Sequence, residues 1–171
     1  IVVDDIQDGF AALARGVLDA APQVTVVAVT GSSGKTSTKD LLGHVLAASA
    51  PTVAPPGSYN SEVGVPLTVT RITTQTRFLV AEMGARGLGH VAYLTRIAPP
   101  DIAVVLNVGS AHLGEFGSRE AIARAKGELV EALAGDGVAV LNHDDEAVRA
   151  MARLSAGRVV TVSAAGDRAA T

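Results

Sequence analysis

Apolar residues in this chain follow two rhythms: short unbroken runs rich in β-branched residues, and longer stretches where apolar positions recur every three or four residues. The runs at 24–30, 78–81, 102–106, 138–141 and 159–162 are bounded by Gly, Pro or polar turn residues, the pattern of buried strands. Residues 52–54 are a shorter strand candidate, and residues 1–3 read as an opening strand. Helical spacing runs through Phe10, Leu13, Val17 and Leu18 and stops at Pro22. It returns in Leu41, Leu42, Val45 and Leu46, which form one apolar helix face, and again at 89–97, closed by Pro99 and Pro100. Residues 118–133 carry the strongest helical pattern and 144–154 a last one, while Gly64 and Pro66 weaken a helix over 62–72. Strands alternating with helices predict an α/β fold with a doubly wound, mostly parallel sheet, whose ligands sit beyond the C-terminal ends of the strands. Residues 164–171 form no recognisable element, and no internal repeat is visible.

Composition sharpens this picture. The chain has 171 residues, enough for one α/β domain with a sizeable core and too few for two. Apolar residues make up 48% and aromatics only 3%, so the core is aliphatic, as a helix-covered parallel sheet requires. The net charge is −3, with 14 basic and 17 acidic residues interspersed, which argues against nucleic acid as a partner. No apolar run approaches the ~18 residues of a membrane span, so no membrane insertion is expected. Absence of cysteine excludes disulfides and thiolate metal sites and suits a cytoplasmic setting. An opening Ile1-Val-Val without an initiator Met suggests a piece of a longer polypeptide.

The first long strand breaks into glycines and then into a helix-compatible segment, through Thr-Gly-Ser-Ser-Gly-Lys-Thr-Ser at 30–37. Strand, glycine loop and helix N-terminus together predict a phosphate loop (P-loop). Convergent backbone N–H groups and the helix dipole attract an anion there. Gly31, Ser32, Ser33, Gly34, Lys35, Thr36 and Ser37 are thus candidate nucleotide ligands, with Lys35 reaching the phosphates and Thr36 binding Mg²⁺. Val29 stands where the general G-x-x-x-x-G-K-[ST] pattern has its first glycine, so the match is to a shorter form.

Polar residues recur just after the other strands: Glu82, Asn107 with His112 nearby, and Asn142 to Asp145. In a doubly wound sheet these positions converge on the phosphate-bound ligand. Thr36, Glu82 and His112 make a plausible Mg²⁺ set, although His is the less expected member. Lys126 is notable for its position. At ~100° per residue it falls within the apolar stripe of Ile122, Leu129, Val130 and Leu133, opposite Glu120, Arg124, Glu128 and Glu131. An inward ammonium must snorkel, pair or lose its charge. Pairing with a carboxylate or phosphate and a catalytic role both stay open, and a neutral amine can also add CO₂ to form a carbamate.

The segments 30–37, 81–86 (Ala-Glu-Met-Gly-Ala-Arg), 107–112 (Asn-Val-Gly-Ser-Ala-His) and 125–129 (Ala-Lys-Gly-Glu-Leu) resemble the Mur ligases, ATP-dependent amino-acid ligases of peptidoglycan synthesis. Segments 57–66, 112–118 and 141–145 are most similar to the member that adds D-alanyl-D-alanine. The resemblance implies a three-domain enzyme. Residues 1–22 would be the tail of a UDP-substrate-binding domain, and residues 23–171 a central ATP-binding domain, incomplete at its C-terminal end and lacking the C-terminal ligase domain. It implies that UDP-N-acetylmuramoyl-tripeptide is joined to D-alanyl-D-alanine through an acyl phosphate. ATP and two Mg²⁺ ions would take part: Thr36 and Glu82 on one ion, His112 and a carbamylated Lys126 on the other. Lys35, His112 and Lys126 would be catalytic, Asn107 would lie on the nucleotide side, and Asn60 and Ser58 would face the UDP-linked substrate. Ser61 replaces a usual Asn and His143 a small residue. Alternatives are another Mur-type ligase, a ligase like folylpolyglutamate synthase, or a nucleotide-binding domain without activity.

Overall fold

The five long apolar runs and the short one at 52–54 each contribute a strand to one parallel sheet. The structure, a computed structural model, describes residues 2–109 and 113–164. Its strands are β1 (Thr25–Thr30), β2 (Thr52–Val53), β3 (Phe78–Glu82), β4 (Ile102–Val105), β5 (Val138–Asn142) and β6 (Arg158–Val162). They lie in the order β2-β3-β1-β4-β5-β6, with every pairing parallel. The helices are α1 (Ile6–Asp19), α2 (Lys35–Ala47), α3 (Gly64–Val69), α4 (His90–Ile97), α5 (Leu113–Phe116), α6 (Arg119–Glu131) and α7 (Glu146–Arg149), with a 3-10 turn over Ala150–Leu154.

Topology decides where a ligand can enter. From β1 the chain crosses to β2 on one side, and from β3 it crosses back to β4 on the other. Right-handed crossovers therefore place α2 on one face and the helices after β3 on the opposite face. The loops leaving β1 and β3 part company above the sheet, which opens a crevice at their C-terminal ends. Register aligns those ends: Val29 pairs with Glu82 and Thr30 with Val105.

Burial follows the same geometry. β1 and β3 are buried on both faces. In β4 and β5 only alternate residues are fully buried, Ala103, Val105, Ala139 and Leu141, so among the described residues these strands are covered fully on one face and partly on the other. Continuous apolar runs alone did not distinguish the two cases.

Several expectations need correction. Val2 and Val3 form no strand and are 99% and 45% exposed; a three-residue run without a neighbouring strand has nothing to pair with. Asp5 instead caps α1, accepting from the Asp8 N–H, and α1 buries Ala14 and Leu18 while packing against α3 and α4. The helix over 62–72 contracts to Gly64–Val69, with Pro66 in its first turn, where a missing N–H costs nothing. Residues 144–154 divide into α7 and the 3-10 turn. On α2, Leu41 and Val45 are each 68% exposed, and the fully buried residue is Lys39.

Candidate functional site

The phosphate loop is built as its residue types require. β1 ends at Thr30, whose hydroxyl donates to the Met83 carbonyl (2.9 Å) and so ties β1 to the loop after β3. Gly34 has φ +78°, a conformation that an L side chain resists, and is the N-cap of α2. Gly31 is packed so closely on Leu106 that a Cβ would sit 3.0 Å from the leucine's own. Lys35 and Thr36 form the first turn of α2, whose dipole points into the loop. The Lys35 ammonium donates to the Gly31 carbonyl (2.8 Å), which curls it over the loop. Ser37 is exposed in the same turn.

Asn107 braces the loop from the β4 side. Its Oδ1 accepts from the Ser32 and Ser33 N–H groups (both 3.0 Å), and its Nδ2 donates to the Ser33 carbonyl (3.2 Å). The Ser32 hydroxyl accepts from the Gly109 N–H (2.9 Å). Asn107 thus contacts the loop backbone itself.

At the crevice between β1 and β3, oxygen atoms gather. The Thr36 hydroxyl donates to Glu82 Oε2 (2.9 Å) and lies 2.9 Å from the Ser58 hydroxyl. Asn60 Nδ2 donates to Glu82 Oε1 (2.7 Å), and the Asn60 carbonyl accepts from the Gly84 N–H (2.9 Å). Glu82 is 1% exposed. A buried carboxylate joined by hydroxyls is a hard-oxygen donor set, the kind Mg²⁺ takes together with phosphate oxygens and water. Thr36 and Glu82 therefore fit that ion. Among the described residues no three His, Cys, Asp or Glu side chains cluster, so the set depends on its hydroxyls.

Lys126 is 4% exposed on the buried stripe of α6, as its helical position predicts. Among the described residues its ammonium has no hydrogen-bond or ion-pair partner. Burial first, and then the nearby Lys35 charge, lower its pKa from 10.5 to about 8. His112 lies outside the described residues.

Strand-end residues beyond β4 bond to backbone. Asn142 donates to the Leu106 carbonyl (2.8 Å), while Asp145 accepts from the Val108 N–H (2.8 Å) and caps α7. They hold the β4 loop through its backbone.

Two features escaped the sequence reading. One is the buried Lys39. The other joins Glu62 to Arg86 (3.3 Å) and to His90 Nε2 (3.2 Å), while the Arg86 N–H donates to His90 Nδ1 (3.3 Å). Hydrogen bonding to backbone lowers the Glu62 pKa most, with His90 and Arg86 adding to it against the opposing effect of burial. Glu62 lies 24 residues before Arg86, so no local spacing ties it to Arg86 and His90. A groove of about 460 Å³ along α6, reaching Met151 and Leu154, shares no residue with the phosphate loop.

Comparison with known proteins extends this picture. Residues 29–171 match the Mur ligase middle domain. UDP-N-acetylmuramoyl-tripeptide–D-alanyl-D-alanine ligase of Mycobacterium bovis is 60% identical over 140 residues, which cover 82% of this chain and 28% of that protein. The chain thus spans less than a third of the length of that relative. A crystal structure of MurF from Acinetobacter baumannii superposes with a TM-score of 0.90 at 34% identity, covering 94% of this chain and 36% of the other. MurF ligase from Thermotoga maritima, solved in complex with ADP, gives 0.88 at 40% identity, covering 97% and 38%.

Proposed function

The chain belongs to the Mur ligase family, and from that membership we propose that it carries the ATP-binding centre of an enzyme joining D-alanyl-D-alanine to UDP-N-acetylmuramoyl-tripeptide. The observation that carries the reading is the junction at the crevice, where Thr36 of the phosphate loop's helix, Glu82 of β3 and the Ser58–Asn60 loop meet within 2.7–2.9 Å. Nucleotide, cation and acceptor substrate then meet at one edge of the sheet. The ADP bound by the Thermotoga maritima relative supports ATP as the nucleotide.

On this reading the carboxylate of the tripeptide attacks the γ-phosphorus of ATP and ADP leaves. The amine of D-alanyl-D-alanine then attacks the acyl carbon, the C–O bond to phosphate breaks, and the amine gives up a proton as the amide forms. Lys35 leaves the Gly31 carbonyl to meet the phosphates, and the loop N–H groups share their charge. Thr36 and Glu82 would hold Mg²⁺, which when bound neutralises phosphate charge. Asn60 and Ser58 face the UDP-linked substrate.

Lys126 is suited to capture CO₂. With a pKa of about 8, roughly a tenth of its amine is neutral at pH 7. Addition of CO₂ with loss of one proton makes a carbamate anion, which would turn its repulsion with Lys35 into attraction and, with His112, offer oxygen and nitrogen to a second ion. Residues 1–22 lead in from a UDP-substrate domain, and 23–171 belong to the central domain. The flanking domains of the same polypeptide complete the site. The enzyme would work in the cytoplasm; no helix among the described residues is long and apolar enough to cross a membrane.

The test is turnover by the full-length enzyme. With ATP and Mg²⁺, phosphate release should require both the UDP-linked tripeptide and D-alanyl-D-alanine, and mass spectrometry should find the pentapeptide. No product with that pair, or turnover with a folate and glutamate instead, would overturn the reading.

A further inference from the structure

Lys39 has no place in the chemistry just described, yet it is 0% exposed, a cost that an ammonium bears only when its three donors are met. They are met by the Pro55 carbonyl (2.6 Å), the Gly57 carbonyl (2.9 Å) and the Asp40 carboxylate (2.6 Å). The two carbonyls belong to the segment that ends in Ser58 and Asn60. Lys39 lies one helical turn beyond Lys35 and Thr36, so the three share a side of α2. Lys35 turns to the phosphate loop, Thr36 to Glu82 and Ser58, and Lys39 to the backbone just before Ser58. Gly57 has φ +61°, which makes the segment turn sharply at the bonded carbonyl.

We propose that Lys39 is a positioning residue whose ammonium fastens residues 55–57 to α2, so that Ser58 and Asn60 stand at Thr36 and Glu82 to receive the UDP-linked substrate. This rests on the ligase reading above. Without the ammonium, two buried carbonyls lose their donor and the segment is free to swing away from Glu82. The helix that holds the nucleotide is unaffected, because its phosphate contacts lie one turn away.

The test uses the full-length enzyme. Lys39→Met should raise KM for UDP-N-acetylmuramoyl-tripeptide tenfold or more and leave KM for ATP and the ADP dissociation constant within twofold. A residue that only stabilised the fold would move both substrates together. Unchanged KM for both in folded Lys39→Met, or parallel rises, would overturn the proposal. Should Lys39→Met not fold, Gly57→Ala decides: its Cβ meets nothing within 4 Å, so it acts through the backbone of this turn alone. The same split, smaller in size, supports the proposal, and no change in either KM overturns it. If the wild type does not turn over the muramoyl substrate, the ligase reading fails by itself. Hydrogen exchange then decides for Lys39, with faster exchange at residues 57–60 and unchanged ADP binding expected in Lys39→Met, and unaltered exchange refuting the clamp.

Discussion

Two lysines leave water on this chain by opposite routes. Lys39 keeps its charge company with two carbonyls and a carboxylate, whereas Lys126 is buried without a partner among the described residues and its pKa falls to about 8. In the folded chain Lys126 therefore binds fewer protons than in the unfolded chain between pH 8 and 10.5. Its penalty is full below pH 8 and fades as pH rises toward 10.5. Lys126→Met should accordingly raise stability at pH 7 by about 1–3 kcal/mol while abolishing turnover. In CO₂-free buffer, urea unfolding of the two proteins should converge as pH climbs from 8 to 10.5. A Lys126→Met variant no more stable than wild type at pH 7 would show that the amine is already paired. Lys126 was legible in sequence because helical spacing fixes which way a side chain points. Lys39 was not, because its slot is made by the backbone of residues 55–57, which no spacing on α2 reveals.

At the scale of elements, the strands and the phosphate loop were readable because each is announced by local chemistry: β-branched runs, then glycines, then a helix opening with Lys35 and Thr36. Extent was less readable. Whether β4 is buried on one face or two depends on which helices cover it, and α3, over Gly64–Val69, is shorter than its apolar pattern. Helix ends also recruit distant groups. The N-cap of α4 is Gly89, which has no side chain to cap with, and Glu128 of α6 supplies the cap, accepting from the Gly89 N–H (2.6 Å) and the Ala92 N–H (2.9 Å). Glu128→Ala should cost about 1–2 kcal/mol in urea unfolding with nucleotide affinity kept. A loss below a few tenths would mean that water replaces the carboxylate without penalty.

For the whole molecule, a parallel sheet concentrates every loop of interest at one edge, so Thr36, Glu82, Asn60 and Ser58 meet although they are spread over 47 residues of sequence (36 to 82). The strand-end rule predicted the meeting of Thr36 with Glu82. It could not tell that Asn142 and Asp145 at the same edge serve backbone, since that depends on side-chain direction within loops. The chain spans less than a third of the Mycobacterium bovis relative, and on the proposed mechanism the two acceptor substrates are gripped largely by flanking domains. The 171 residues alone should bind ADP and show no multiple turnover with the full substrate set; sustained phosphate release by them would refute that division of labour.

The claim beneath all of this is that the Thr36–Glu82 junction is where nucleotide and divalent cation meet. Calorimetric titration of ADP into the full-length enzyme and its Glu82→Gln variant, with Mg²⁺ and then with EDTA, tests it directly. The account predicts at least tenfold weaker binding by the variant in Mg²⁺ and no difference in EDTA. Equal affinity in Mg²⁺ would contradict it.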